Sequence, residues 1–258
     1  MVTLHFYGEL NDYLSEAQRD SDIEHEFQKP RSVKDLIESI GVPHPEIDII
    51  MVDGVSVDFR YQVQDGDSIA VYPGHHSPDM QPDMQPDIQP SIQPDMQTIR
   101  HLLPKAIEPP SFVLDVHLGK LAAYMRMLGF DCLYRNDYDD PELARISSTQ
   151  VRTLLTCDRK LLHRNEVTHG YFVRSRDPQV QISEVIRHFG LNQRIRPFSR
   201  CINCNGLIAP VDKAVIADRL QPKTRQHYDV FYICQDCEQI YWQGSHVPEM
   251  IRLIDEIV

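Results

Sequence analysis

Apolar and polar positions alternate from the first residues of the chain. Val2, Leu4 and Phe6 share one face, and this period of two predicts a half-buried strand. Ile23, His25 and Phe27 predict a second. The period then lengthens: Leu36, Ile37 and Ile40 recur at helical spacing behind Ser32, which with Asp35 has the form of an N-terminal cap, and Gly41 supplies the stop. Residues 47–52 are a further apolar run before the Asp53-Gly54 turn, and residues 69–72 another after Asp65-Gly66.

Beyond residue 110 strands and helices alternate. Phe112-Val113-Leu114 ends at Asp115, and Leu118, Leu121, Ala122, Met125 and Leu128 then lie on one face of a helix closed by Gly129. Residues 130–134, 151–156 and 171–174 are predicted strands. Leu143, Ala144 and Ile146 belong to a helix opening at Asp140-Pro141, with Asp140 the expected cap. Ile182, Val185, Ile186 and Phe189 mark a helix stopped by Gly190, and Met250, Ile251, Ile254 and Ile257 are in phase for a terminal helix docked on the body. Such alternation across short loops implies right-handed β-α-β crossovers, hence an α/β fold with a parallel sheet covered by helices on both faces.

Between these patterns the periodicity stops. A four-residue unit recurs from Ser77 to Gln97, with prolines at 78, 82, 86, 90 and 94. Each proline removes a backbone donor and disfavours helix in the residue before it, so the repeat is expected to be a spacer, with a docking motif as the alternative. The expected division is a unit over 1–75, a linker over 76–110, an α/β domain over 111–197 and a cysteine-bearing region with a terminal helix over 198–258.

Charge follows this division. Residues 1–100 hold 19 Asp/Glu against 6 Lys/Arg, and residues 101–258 hold 19 against 20, so a polyanion is repelled by the front and tolerated by the rear. No basic N-terminal region precedes an apolar run, and no stretch approaches the ~18 apolar residues of a membrane span, so a cytoplasmic protein with no membrane partner is expected.

Four of the six cysteines form two Cys-x-x-Cys pairs, Cys201 with Cys204 and Cys234 with Cys237. Two intervening residues let both thiolates of a pair turn toward one ion, and two pairs close a tetrahedral shell, which predicts structural zinc. The alternative is a set of buried or disulfide-bonded thiols. A closed shell leaves no position for substrate, so chemistry is expected upstream. There Asp115 and Asp158 each follow an apolar strand, Asp140 precedes a helix, and Asp177 stands before Pro178. In a parallel sheet the carboxyl ends of the strands form one ligand-binding rim, where these acids would collect. Crowded carboxylates repel unless a cation neutralises them, and Mg²⁺ or Mn²⁺ prefers oxygen ligands, so metal-assisted phosphodiester hydrolysis is the expected chemistry. Turn formers and helix caps are the alternative for each acid, most of all for Asp140 and Asp177. Lys120, Arg126 and Arg159 are candidate phosphate attractors, with a solvated helix face an equal reading for the first two. Between the cysteine pairs lie Lys213, Arg219, Lys223 and Arg225, followed by Tyr241-Trp242, which could stack on bases or belong to a core.

The strand, strand, helix, strand, strand order of the first unit resembles the ubiquitin-like β-grasp, in particular sulfur-carrier proteins. Those carriers act through a terminal Gly-Gly carboxylate. Here Tyr72-Pro73-Gly74-His75 runs into the linker, so an interaction or regulatory module, with a possible protein partner, is expected instead. Phe112-Val-Leu-Asp115, Leu118-Gly-Lys-Leu-Ala, Arg126-Met-Leu-Gly129-Phe-Asp131, Leu155-Thr-Cys-Asp158-Arg159, Arg200-Cys-Ile-Asn-Cys204 and Tyr241-Trp242-Gln-Gly-Ser-His246 together resemble the RNase module at the C-terminus of the Mut-seven exonuclease. That resemblance covers roughly residues 111–250. It implies a PIN-like nuclease fused to a zinc ribbon, an RNA substrate, and catalytic roles for Asp115, for Asp158 in a Thr-x-Asp motif, for Asp140 between them and for Asp177 in the region of the fourth acid. Two functions follow: a metal-dependent ribonuclease, or a non-catalytic RNA-binding or scaffold protein with a vestigial acidic rim.

Overall fold

The computed structural model describes residues 1–27, 29–74, 99–244 and 247–257, so the proline repeat lies outside the described residues. The first unit is a five-stranded mixed sheet of order β2-β1-β5-β3-β4. Strand β1 (Val2–Phe6) buries Val2, Leu4 and Phe6 as the alternation predicts and runs parallel to β5 (Ser68–Pro73) and antiparallel to β2 (Ile23–His25). Helix α1 (Val33–Ile40) begins where the Ser32 hydroxyl accepts from the Asp35 amide, and it ends at Gly41 with φ of 112°. Strand β3 (Ile47–Val52) turns at Asp53-Gly54, both left-handed, into β4 (Val55–Val57). Strand β4 was not expected. It is short and has no buried residue, so its composition carries no alternation to read.

The second unit is a four-stranded parallel sheet of order β7-β6-β8-β9, formed by β6 (Ser111–Leu114), β7 (Asp131–Leu133), β8 (Thr153–Thr156) and β9 (Gly170–Phe172). Phe112, Leu114 and Leu155 pack toward α2 (Gly119–Met127) and α5 (Pro178–His188). Val113 and Leu154 pack toward α3 (Asp140–Thr149) and α4 (Arg159–Leu162). Burial on both faces is why these strands read as continuous apolar runs. The chain steps from β6 outward to β7 and then back across to β8, so the order reverses between β6 and β8, the place where open α/β sheets bind ligands.

Two local expectations need correction. Strand β8 starts at 153, not 151, because Val151 sits exposed at a φ of 51° and Arg152 turns to Asp131, 2.8 Å away. The cap of α3 is Asp139, whose carboxylate accepts from the Glu142 amide at 2.8 Å, and Asp140 is the first helical residue. Asp139→Ala is therefore expected to cost ~1 kcal/mol in urea unfolding while Asp140→Ala costs almost nothing; equal losses would contradict this capping.

The third region is a three-stranded antiparallel sheet of β10 (Ile208–Val211), β11 (Phe231–Cys234) and β12 (Ile240–Trp242). Short helices α6 (Lys213–Ile216) and α7 (Pro222–His227) cross between β10 and β11. Its apolar centre is small, with Ile216, Phe231 and Ile240 as its buried residues. Helix α8 (Val247–Ile257) leaves it and docks Ile254 on the core of the parallel sheet, as the phase of its apolar residues predicted. No helix among the described residues is long and apolar enough to cross a membrane.

Candidate functional site

Asp115 closes β6 at the point of strand-order reversal and is 4% exposed. One carboxylate oxygen accepts from the His117 amide at 2.7 Å, within a 3₁₀ turn over Val116–Leu118. The other accepts from the hydroxyl of Thr156, the last residue of β8, and from the Cys157 amide just after it at 2.9 Å. Thr156 in turn accepts from the Asp158 amide at 2.8 Å. The two acids are thus joined through one buried hydroxyl. Asp158 itself is exposed, and its carboxylate caps α4 by accepting from the Lys160 amide at 2.8 Å. Asp140 follows β7 and is exposed at the start of α3, and Asp177 follows β9 and caps α5 through the Gln179 amide at 2.8 Å. All four acids lie past carboxyl ends of strands, yet the rim acids form no group of three or more close enough to hold an ion among the described residues.

Such a group does exist at the cysteines. The sulfurs of Cys201, Cys204, Cys234 and Cys237 all lie within 4.8 Å of one another, with Cys201 and Cys237 3.6 Å apart and Cys204 and Cys234 3.3 Å apart. Four sulfurs at ~2.3 Å from one tetrahedral centre are roughly 3.8 Å apart, whereas a disulfide needs ~2.05 Å. The thiols are unpaired, and the set fits a metal such as zinc. Burial opposes ionisation of Cys201, but hydrogen bonds from the Tyr241 hydroxyl and neighbouring amides bring it down to about 7. Cys204 goes the other way, pushed up to about 12 by burial and the adjacent thiols. Four thiolates together require a cation.

Arg126 ties this cluster to the sheet. It is 4% exposed, donates to the Cys132 carbonyl at 2.9 Å, and reaches the carbonyls of Ile202 and Asn203, inside the first cysteine loop, at 3.0 Å each. Asn205 adds a second tie, accepting from the Cys132 amide at 2.9 Å and donating to Asp131 at 2.8 Å. Burial would raise the Asp131 carboxyl, but hydrogen bonds from Arg152 and Asn205 hold it below the usual range. The expectation that Arg126 attracts phosphate is therefore wrong: its guanidinium is spent on backbone carbonyls in the interior. Arg126→Leu should destabilise the protein by ~1–3 kcal/mol, since three carbonyls lose their donor; an unchanged urea midpoint would contradict this role.

Residues 110–254 match the family model described as the Mut7-C RNAse domain, and residues 1–79 match the model described as Mut7-C ubiquitin. The chain belongs to the Mut7-C RNase family. Neither a curated protein nor a solved structure matches it significantly. The family assigns nuclease activity in general terms to the module that carries the rim, and the cysteine cluster supplies the zinc ribbon expected at its end. Within this Mut7-C module two residues had no functional reading from sequence: Thr156, visible only as part of a Thr-x-Asp motif, and Asn205, directly after the first cysteine pair. Trp242 sits on the edge strand of the ribbon, 36% exposed, with Tyr228 6.4 Å away between ring centroids, so it is not a core residue. His246 lies outside the described residues.

Proposed function

We propose that this Mut7-C protein is a metal-dependent ribonuclease whose reactive centre is the Asp115–Thr156–Asp158 corner. The observation that carries this reading is a carboxylate buried at the sheet's reversal point and fixed there by three donors, with a second acid beside it. A structural acid is served equally well by a solvated turn; a buried one facing a ligand crevice is more economically read as chemistry. Mg²⁺ and Mn²⁺ are bound through one or two carboxylates with water filling the rest of the shell, so two acids suffice without a three-acid cluster. Asp115 and Asp158 would hold the ion, with Asp140 and Asp177 as outer acids acting through water. Bound there, the ion supplies Lewis acidity toward a phosphodiester oxygen.

The chain's own groups prepare this site. The amides of His117 and Cys157 and the Thr156 hydroxyl fix the Asp115 carboxylate in one orientation. Thr156 also pins the Asp158 backbone, so the second acid cannot drift relative to the first. The α2–α5 and α3–α4 layers exclude substrate from both sheet faces and leave the rim as the approach. Incubating purified protein with tRNA, rRNA and single-stranded oligomers, with Mn²⁺ or with EDTA, tests the proposal. Cleavage confined to the Mn²⁺ arm is expected; RNA binding without cleavage in either arm favours the non-catalytic reading.

A further inference from the structure

The two strands flanking the proposed centre on its β9 side each lead into an arginine: Arg174 is largely covered, and Arg159 is exposed along part of its length. Arg159 directly follows Asp158, and Arg174 stands two residues beyond β9. The N-terminal unit holds both. Arg159 donates to the carbonyls of Asp12 at 2.8 Å and Tyr13 at 3.3 Å, with its guanidinium 5.0 Å from the ring centres of Tyr13 and Phe172. Arg174 meets the carboxylates of Asp12 at 2.8 Å, Glu46 at 2.8 Å and Glu9 at 3.6 Å. Glu46 is buried and also accepts from the Phe172 amide at 2.6 Å, so it anchors the contact. Asp12, with 48% of its side chain exposed, lies at its margin.

This is an unusual use of cations beside a site proposed for a polyanion. A rim that binds RNA through backbone phosphates needs positive groups within reach, and arginine's planar fork suits carboxylates and phosphates alike. Of the other two candidates, Arg126 is consumed in the interior and Lys120 is exposed on α2. The unit that occupies Arg159 and Arg174 belongs to the strongly acidic front of the chain, and it offers them carboxylate and carbonyl oxygens and the face of Tyr13.

We propose that Arg159 and Arg174 form an RNA-phosphate site beside Asp158, and that the ubiquitin-like unit occupies it in place of phosphate, with the carboxylates of Glu9, Asp12 and Glu46 on Arg174 and the carbonyls of Asp12 and Tyr13 on Arg159. RNA then competes with the chain's own front half for the same two guanidinium groups. The inference rests on the nuclease reading only for its location; the competition is a binding property and is measured without cleavage.

The test uses the full chain and a fluorescently labelled single-stranded oligoribonucleotide, with anisotropy recorded in EDTA. Glu9→Gln combined with Asp12→Asn keeps side-chain size and removes two competing charges. The double variant should bind about fivefold tighter than the parent. Its binding should also fall more steeply with salt, since each phosphate gained on a single strand adds ~0.7 to the log–log slope and two arginines add about 1.4. Adding Arg174→Gln should return the affinity to the parent value. Unchanged or weaker binding in the double variant overturns the proposal, as does a tightening that survives Arg174→Gln in a folded protein, because the effect is then general charge removal. If circular dichroism shows the double variant unfolded, Asp12→Asn alone replaces it with the same required direction. Cleavage in Mn²⁺ is followed separately: tighter binding with no cleavage leaves the competition standing and removes the nuclease reading, whereas cleavage with unaltered binding does the reverse.

Discussion

Cys234→Ser is expected to release the bound metal and unfold residues 198–244 as a unit. The region has little else to stand on, since its buried apolar centre consists of Ile216, Phe231 and Ile240 and so small a core seldom folds without a metal or a disulfide. Structural zinc contributes ~10–16 kcal/mol of apparent binding free energy, and a serine oxygen does not replace a thiolate in the shell. Damage should also cross into the parallel sheet. Arg126 would lose ordered acceptors at Ile202 and Asn203 and keep only the Cys132 carbonyl. Elemental analysis paired with hydrogen exchange checks both parts: loss of zinc, fast exchange over 198–244, and partial loss of protection at β7. Parent protein stripped of metal that still exchanges slowly across the ribbon would refute a folding role for the ion.

Asp158→Asn should abolish Mn²⁺-dependent cleavage with almost no change in melting temperature. The exposed carboxylate caps α4, and asparagine caps about as well as aspartate, so the helix keeps its acceptor while the rim loses a charge. Removing several kcal/mol of charge stabilisation corresponds to a rate loss on the order of 10²–10³ or more. Asp115→Asn should behave differently. Crowded carboxylates alone suggest that removing either charge relieves repulsion, but Asp115 already receives three donors. An amide there turns its own NH₂ toward N–H groups, so ~1–3 kcal/mol of stability should go together with activity. Thermal melts in EDTA beside cleavage in Mn²⁺ separate the cases. Parent-level cleavage by Asp158→Asn would sink the assignment, whatever happens at Asp115.

Much of this molecule was legible because its signals are local. Strand β1 and helix α1 follow from period and caps within a few residues, and the cysteine pairs carry their ligand spacing in the chain itself. The α/β alternation alone places Asp115 and Asp158 just past strands. What escaped depends on distance in sequence or on single-residue register. Asp139 rather than Asp140 caps α3 because only its carboxylate reaches the Glu142 amide, and two adjacent aspartates before a proline look alike in a string. Arg126 sits on an amphipathic helix where a charge ordinarily means solvent; two of its three acceptors lie 76 and 77 residues away. The Arg174–Glu46 contact joins residues 128 apart across two units, and neither flanking segment signals it.

The parallel sheet has one further consequence for how the family can vary. Phe112, Val113 and Leu114 alternate between two buried layers, and Leu154 and Leu155 do the same, so almost every side chain in the central strands is enclosed on one face or the other. A lineage drifting under mutation has little room there, since even one methylene is felt in a packed interior. Freedom is concentrated at the exposed positions of the segments that follow the strands, such as His117, Arg135, Asp137, Lys160 and Arg176, where a substitution meets solvent and not a neighbouring layer. The surface of the rim can thus be remodelled at such positions without passing through an unfolded intermediate.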